Sequence, residues 1–308
     1  MKILIVCSGN SGKISSFVEE QEKSLSAIGY NTEYYVILGK GILGYIKNFK
    51  PLISKIKQFR PDIIHAHYGF AGLLACLQRK IPVVITYHGS DINIKNNRLV
   101  STISSRLARV NIFVHKNLAK KIYWKKNNIV IPCGVDLTIF REMDRNTARI
   151  IMGLRENAYY ALFSASFSNL NKNSKLAIES ITHSGMKIAL IPLENFTRHQ
   201  VNLLLNAVDF LLVTSISETG PLVVKEAMCA NCRCVSTDVG DVRCITNGVK
   251  GYYIAEDDNP ETIGKLIVAT IEDTENNRMI DGRTRITELN LDLDSIARLI
   301  SIIYCEYV

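Results

Sequence analysis

Short apolar runs alternate along this chain with stretches whose apolar residues return at helical spacing. Lys2-Ile-Leu-Ile-Val-Cys7 predicts a buried strand, and Ser8-Gly-Asn-Ser-Gly12-Lys13 a small flexible turn. Phe17, Val18 and Leu25 then mark one face of an amphipathic helix that ends near Gly29, and a second strand starts at Thr32. Strand, turn, helix and parallel strand form a βαβ unit. Further strand ends are predicted at Pro61-Asp-Ile-Ile-His65-Ala-His67, Val83-Val-Ile-Thr-Tyr-His88-Gly-Ser-Asp91 and Ile129-Val-Ile-Pro-Cys-Gly-Val-Asp136.

A second βα series begins at Tyr159-Tyr-Ala-Leu-Phe-Ser164. It continues through Lys187-Ile-Ala-Leu-Ile191, Asp209-Phe-Leu-Leu-Val213, Cys234-Val-Ser236 and Gly251-Tyr-Tyr-Ile254. The chain closes from Leu289 to Val308 on an amphipathic helix, with Ile296, Leu299, Ile300, Ile303 and Tyr304 on its apolar side. Two α/β series in 308 residues predict two domains, at 1–141 and 142–290, followed by a terminal helix at 291–308.

Composition refines this picture. At 47% hydrophobic residues there is material for two cores. No apolar run is long enough to span a bilayer, and Met1-Lys2-Ile3 leads straight into a strand, so a cytoplasmic protein is expected. The eight cysteines then read as reduced thiols. Charge divides unevenly. Residues 1–140 hold 20 Lys+Arg against 7 Asp+Glu, a balance of +13, and the remainder 17 against 22, a balance of −5. The basic half calls for an anionic neighbour: the inner face of the cell membrane, where the protein would sit peripherally, or an anionic lipid-linked acceptor. Nucleic acid is not expected, because no reader motif and no basic–aromatic interleaving accompany the charge.

The most informative segment runs Thr214-Ser-Ile-Ser-Glu-Thr-Gly-Pro-Leu-Val-Val-Lys-Glu-Ala-Met228. An apolar strand ends at Thr214, a turn carries Glu218, and a helix opening at Pro221 holds Glu226. Proline suits a first helical position because its missing N–H has no intrahelical partner there. The free amides of such a first turn, with the helix dipole, form an anion site. Thr219, Gly220, Pro221, Leu222 and Val223 therefore form a phosphate cradle bracketed by two carboxylates, the groups that accept hydrogen bonds from hydroxyls.

This segment resembles the E-x7-E signature of the retaining glycosyltransferases of family 4. The resemblance extends over nearly the whole chain and is most specific from Ser215 to Gly251. It implies the GT-B fold: two Rossmann-like, doubly wound domains facing a central cleft, with the last helix crossing back to the first domain. It implies an acceptor side in 1–141 and a donor side in 142–290. It implies a sugar nucleotide as donor substrate, no other cofactor, and a carbohydrate or lipid-linked sugar as acceptor. Glu218 would hold the donor hexose, and Glu226 the nucleotide ribose. Lys172 would neutralise the diphosphate, Gly12 would approach the donor phosphates, and His88 would line the reacting carbon. Asp91 is a candidate acceptor-side base.

The chain departs from the family at Ser166, where an Arg is usual, and at Cys133, which replaces an Asn. The back half also looks trimmed between Lys187 and Asp209. No metal is expected. There is no strand-end Asp-x-Asp, and His65 and His67 share one strand face without a third ligand at useful spacing. Cys229, Cys232, Cys234 and Cys244 do not form two clean pairs, and read as small core residues. The expectation is a metal-independent glycosyltransferase of cell-surface polysaccharide or glycolipid assembly. Two alternatives share the fold: a non-catalytic nucleotide-sugar or carbohydrate-binding subunit, and a nucleotide-sugar epimerase.

Overall fold

The computed structural model describes residues 1–10, 12–39, 41–123, 127–276 and 280–307. Ser11 of the first expected turn and Val308 of the expected terminal helix lie outside them. The chain divides into two compact units, Met1–Gly134 with Leu293–Val308, and Val135–Asp292.

The first unit runs β1 (Lys2–Ser8), α1 (Ser16–Ala27), β2 (Asn31–Ile37), α2 (Gly41–Lys47), α3 (Phe49–Phe59), β3 (Ile63–His67), α4 (Gly69–Cys76), β4 (Val83–Tyr87), α5 (Ser90–Asn93), α6 (Lys95–Leu107), β5 (Val110–Phe113), α7 (Lys116–Lys121) and β6 (Asn128–Val130). Its strands pair in parallel in the order β2-β1-β3-β4-β5-β6. Parallel strands covered on both faces need apolar side chains in both directions, which is why β1, β3 and β4 read as near-continuous Ile and Val. One core holds Leu4, Val6, Ile64 and Ile85, and the other Ile3, Ile5, Ile63 and Val84.

The second unit runs α8 (Arg145–Met152), β7 (Tyr159–Phe163), a 3₁₀ turn (Leu170–Lys172), α9 (Ser174–His183), β8 (Ile188–Pro192), α10 (Arg198–Ala207), β9 (Phe210–Val213), α11 (Leu222–Cys229), β10 (Arg233–Ser236), α12 (Val242–Ile245), β11 (Tyr252–Ile254), α13 (Pro260–Glu275) and α14 (Gly282–Glu288). Its parallel sheet has the order β11-β10-β9-β7-β8. The short stretch between Lys187 and Asp209 thus holds one strand and one helix. Cys229, Cys232 and Cys234 are core residues, as their small apolar character suggests, whereas Cys244, expected with them, is exposed. Burial pushes the Cys229 and Cys232 thiols up to about 12, so both stay protonated at neutral pH.

The chain leaves the first unit at Gly134, ahead of Phe140, because Val135 and Phe140 are both buried in the second core. Arg283 fixes this segment through the carbonyls of Leu137 and Phe140, at 3.0 and 2.7 Å.

The terminal helix α15 (Leu293–Tyr307) belongs to the first unit. It starts four residues later than the pattern suggests, because Leu289 caps α14 and Leu291 packs in the second core. Its inner face is Ile296, Ala297, Ile300, Ile303 and Tyr304, packed with Ile3, Ile5, Leu25 and Val110. Each such isoleucine contributes roughly 1.5–3 kcal/mol by burial. Leu299, expected on the same face, is instead exposed. Tyr30 Oη and Ser301 Oγ, 2.6 Å apart, and Tyr304 Oη and His65 Nδ1, 2.5 Å apart, tie α15 to the unit.

Candidate functional site

In an open α/β sheet, ligands bind beyond the carboxyl ends of the strands where strand order reverses. In the second unit that point lies between β7 and β9. The loops leaving these strands are the ones that carry Lys172 and Glu218. They are stitched together. Thr214 Oγ1 lies 3.0 Å from the carbonyls of both Lys172 and Asn173, the Ile216 amide donates to the Asn171 carbonyl at 2.8 Å, and Asn171 Nδ2 donates to Ser217 O at 2.7 Å. On this frame Lys172 Nζ lies 2.6 Å from Glu218 Oε1, with side chains 17% and 15% exposed. The approach angle makes an ion pair but no hydrogen bond, and that oxygen has no hydrogen-bond partner.

Helix α11 starts one residue later than the sequence suggests. Pro221 is its N-cap, at φ −67° and ψ 109°, and Leu222 its first helical residue. The extended ψ turns the chain sharply into the helix, and the Pro221 carbonyl accepts from the Val224 amide at 3.0 Å. The Leu222 and Val223 amides, ahead of that bond, are left without intrahelical acceptors.

The Thr219-Gly220 turn packs against Gly240-Asp241. A Cβ on Gly240, whose φ is +61°, would meet Thr219 O at 2.9 Å, and one on Gly220 would meet Asp241 Oδ2 at 3.0 Å. Asp241 Oδ2 lies 3.7 Å from Nζ of the buried Lys225. Among the described residues of the second unit, four buried side-chain oxygens have no hydrogen-bond partner: those of Ser164 and Ser215, Glu218 Oε1 and Asp241 Oδ1. Buried polar atoms are almost always satisfied, so these exceptions, on the segments that follow β7, β9 and β10, make this edge of the sheet the candidate site.

Glu226 is buried on α11, and its Oε1 lies 2.7 Å from Arg198 Nη1. Arg198 opens α10, behind a capping box of Thr197 and Gln200, and its guanidinium lies 4.5 Å from the Phe140 ring centroid. Sequence reasoning missed Arg198, Lys225 and Asp241. The Thr-x-x-Gln pattern at 197–200 is the one signal that could have placed Arg198 at a helix start. At the family's Arg position, the Ser166 hydroxyl lies 2.9 Å from that of nearby Ser168.

The first unit has its own cluster. Its strand order reverses between β1 and β3. His88 follows β4. Gly89, at φ +133°, then turns the chain into α5, a conformation that needs glycine. His88 Nε2 lies 3.0 Å from His67 Nδ1, and His88 Nδ1 lies 3.8 Å from Cys133 Sγ. Phe17 and Tyr68 flank the ring, with centroids at 4.5 and 4.9 Å. Tyr68 holds φ +73°, a strained value for a side chain of its size. His65 stacks on His67, and its two nitrogens meet Tyr304 Oη and Thr86 Oγ1.

Burial holds all three imidazoles neutral. Desolvation takes His67 down to about 3 and drives His65 and His88 well below the usual histidine range, helped by their imidazole neighbours. One proton is then shared between His67 Nδ1 and His88 Nε2, so the two tautomers are linked. Cys133, where the family has Asn, meets the other nitrogen of His88. Asp91 is buried on α5, where Oδ1 accepts from the Gly89 amide at 2.9 Å and Oδ2 is left unbonded. Burial raises its carboxyl to about 6 against the pull of surrounding amides. Gly12 lies in the loop after β1 at φ +89°, and a Cβ there would meet no atom within 4 Å.

The family model "Glycosyltransferase Family 4" matches residues 5–139, and "Glycosyl transferases group 1" matches 169–273. The chain is 29% identical over 222 residues to the putative teichuronic acid biosynthesis glycosyltransferase TuaC of Bacillus subtilis, covering 61% of this chain and 56% of that relative's length. It is 26% identical over 258 residues to the uncharacterized glycosyltransferase MJ1178 of Methanocaldococcus jannaschii, covering 77% and 73%. Among solved structures, the sucrose-phosphate synthase of Thermosynechococcus elongatus superposes with a TM-score of 0.83 at 13% identity, over 99% of this chain and 98% of that one. Anabaena HepE, solved with UDP-glucose, superposes with a TM-score of 0.78 at 17% identity, over 99% and 100%. These likenesses, together with the two βα units, assign the chain to family 4 of the glycosyltransferases, with the GT-B fold.

Proposed function

We propose that this protein is a retaining glycosyltransferase. It moves a hexose from a nucleoside diphosphate donor to a hydroxyl acceptor in the assembly of a cell-surface polysaccharide or glycolipid. The observation that carries this reading is the pairing of Lys172 with Glu218 at the β7/β9 switch point, beside the start of α11. A cation, a carboxylate and a set of helix-end amides are what a diphosphate joined to a polyol requires. HepE, a fold relative, was solved with UDP-glucose, which favours a UDP-hexose. The name of TuaC favours an acceptor of the wall-polymer kind.

Without donor, Lys172 and Glu218 balance each other's charge as an ion pair. On binding, Lys172 turns to the diphosphate and Glu218 to the sugar hydroxyls, so the pair exchanges partners and neither charge is left alone. As the glycosidic bond breaks, negative charge grows on the diphosphate. Lys172, the α11 amides of Leu222 and Val223, and the turn at Thr219-Gly220-Pro221 stabilise it. Glu226, held by Arg198, receives the ribose. Gly12 leaves room beside the donor phosphates, and His88, neutral and fixed by His67, lines the anomeric carbon. Protonated lysine and helix amides supply the leaving-group stabilisation, so no metal is required. Cytoplasmic donor pools and an acceptor at an anionic membrane surface fit the basic first unit.

Donor turnover, read as release of nucleoside diphosphate with EDTA present, tests the reading. Turnover that disappears in Glu218→Ala, with nucleotide binding and the melting profile intact, supports a transferase. Equal turnover in wild type and variant overturns it. A non-catalytic subunit would bind donor and release nothing.

A further inference from the structure

Helix α6 is built inside out. A surface helix normally turns its apolar stripe to the core. Here the buried residues are Ser101, Ser104 and Ser105. Ser101 Oγ donates to the Asp91 carbonyl at 2.8 Å, and Ser104 Oγ lies 3.0 Å from Tyr87 Oη. The approach to α4 is so close that a Cβ on Gly69 would lie 2.0 Å from Ser101 Oγ. The outward face carries Leu99, Ile103 and Leu107 at i, i+4 and i+8, exposed by 67, 46 and 44%. Ile94, just ahead of the helix, is 53% exposed.

The sequence on either side of this stripe carries charge of almost one sign. Between Asp62 and Asp136 the sole acidic residue is the buried Asp91, against 11 Lys+Arg, of which Lys125 and Lys126 lie outside the described residues. Lys95 and Arg106 are exposed on α6 itself, and Lys116 and Lys120 on α7. Lys121 Nζ donates to Asn93 Oδ1 at 2.6 Å, which joins α7 to the start of the stripe. At its far end Leu107 lines a cavity of about 500 Å³ together with Arg79, Lys80, Ile81, Arg109 and Tyr307.

We propose that the outward face of α6, with the α7 lysines and this cationic cavity, docks the protein on an anionic lipid bilayer. The aliphatic stripe enters the acyl boundary, and the cations meet lipid phosphates. Nucleic acid would satisfy the cations but leave the aliphatic stripe in water. A second copy related by a twofold axis would set the same cations against each other. The inference rests on the membrane part of the proposed function and not on the donor chemistry, so the two fail separately.

The test is sedimentation of the full chain with vesicles of phosphatidylcholine alone or with added phosphatidylglycerol. The wild type should bind the anionic vesicles only, and lose binding as salt rises several-fold above physiological. Leu99→Ser/Ile103→Ser/Leu107→Ser changes exposed positions only. It should bind at least tenfold less, with unchanged melting and nucleotide binding. Lys95→Glu/Lys120→Glu should lose about fivefold or more per lysine. Wild-type affinity in either variant, or no vesicle binding by the wild type, overturns the proposal. So does a dimer that the triple variant abolishes, or a preference for nucleic acid over vesicles.

Discussion

Lys172 Nζ and Glu218 Oε1 lie 2.6 Å apart although their residues are 46 positions apart in sequence, because β7 and β9 are neighbours and their loops are tied by Thr214 and Asn171. Each side chain therefore has a separate expected effect on the donor. Lys172→Ala removes a charge-assisted contact worth about 1.5–3 kcal/mol, so nucleoside diphosphate should bind roughly 10- to 100-fold more weakly. Glu218→Gln should leave the bare nucleotide's affinity near wild type and lower turnover of the full sugar nucleotide. Isothermal titration with both ligands separates these outcomes. Equal loss of both ligands in both variants would contradict the division of labour.

Arg198 and Glu226 form the second pair, and theirs is a stability role as well. Glu226 is almost fully buried, and breaking a buried pair from one side costs about 3–5 kcal/mol where no other group compensates the remaining charge. Arg198→Met should therefore lower the denaturant midpoint strongly. Adding Glu226→Gln should restore part of the loss by removing the charge. A single-variant loss under about 1 kcal/mol, the range for an exposed pair, would show that Glu226 does not depend on Arg198.

The turn at Thr219-Gly220 depends on glycine at 240. Gly240→Ala places an L side chain at φ +61° and drives its Cβ toward Thr219 O. The backbone strain alone costs about 1–2 kcal/mol. The displaced turn should also weaken nucleotide binding, and a calorimetric titration of this variant checks both. Wild-type affinity would show that the turn does not touch the nucleotide.

The first unit should be acid-sensitive. His65, His67 and His88 are held below their unfolded value of about 6.5, so the unfolded chain binds more protons as pH falls through that value. Their contribution is fully present above pH ~6.5 and is lost on acidification, at about 1.4 kcal/mol per group per pH unit well below it. Asp91 acts in the opposite sense. Its carboxyl, raised to about 6, takes up its proton first in the folded state and offsets one histidine down to pH ~4. The thermal midpoint should thus fall steeply from pH 7 to 5, and fall further in Asp91→Asn. A flat profile would mean that the imidazoles are charged in the fold.

Much of the architecture was legible in the sequence, because doubly covered parallel strands must be written as apolar runs. The Ile-rich β1, β3 and β4 and the Leu-rich β9 were found on that basis. The strand-to-helix segment around Glu218 was legible because a turn, a proline and a buried helix follow one another without interruption. Three features were not. Pro221 sits one place earlier than the helix pattern suggests, because a proline fits an N-cap as well as a first helical turn. Arg198 reaches Glu226 from a different helix, and no local pattern encodes a contact across 28 residues. The reversed polarity of α6 also stayed hidden, because Leu99, Ile103 and Leu107 have the spacing of an ordinary core stripe. The close approach of Gly69 on α4, which admits Ser101, goes with burial of the serine face instead.

Hydrogen exchange with and without nucleoside diphosphates tests the central claim most directly. A panel of UDP, GDP, ADP and CDP should yield at least one ligand that slows exchange in 164–173 and 214–223, the loops after β7 and β9, and that protection should vanish in Lys172→Ala. Protection confined to other segments, or none with any of the four, would contradict a donor site at this sheet edge.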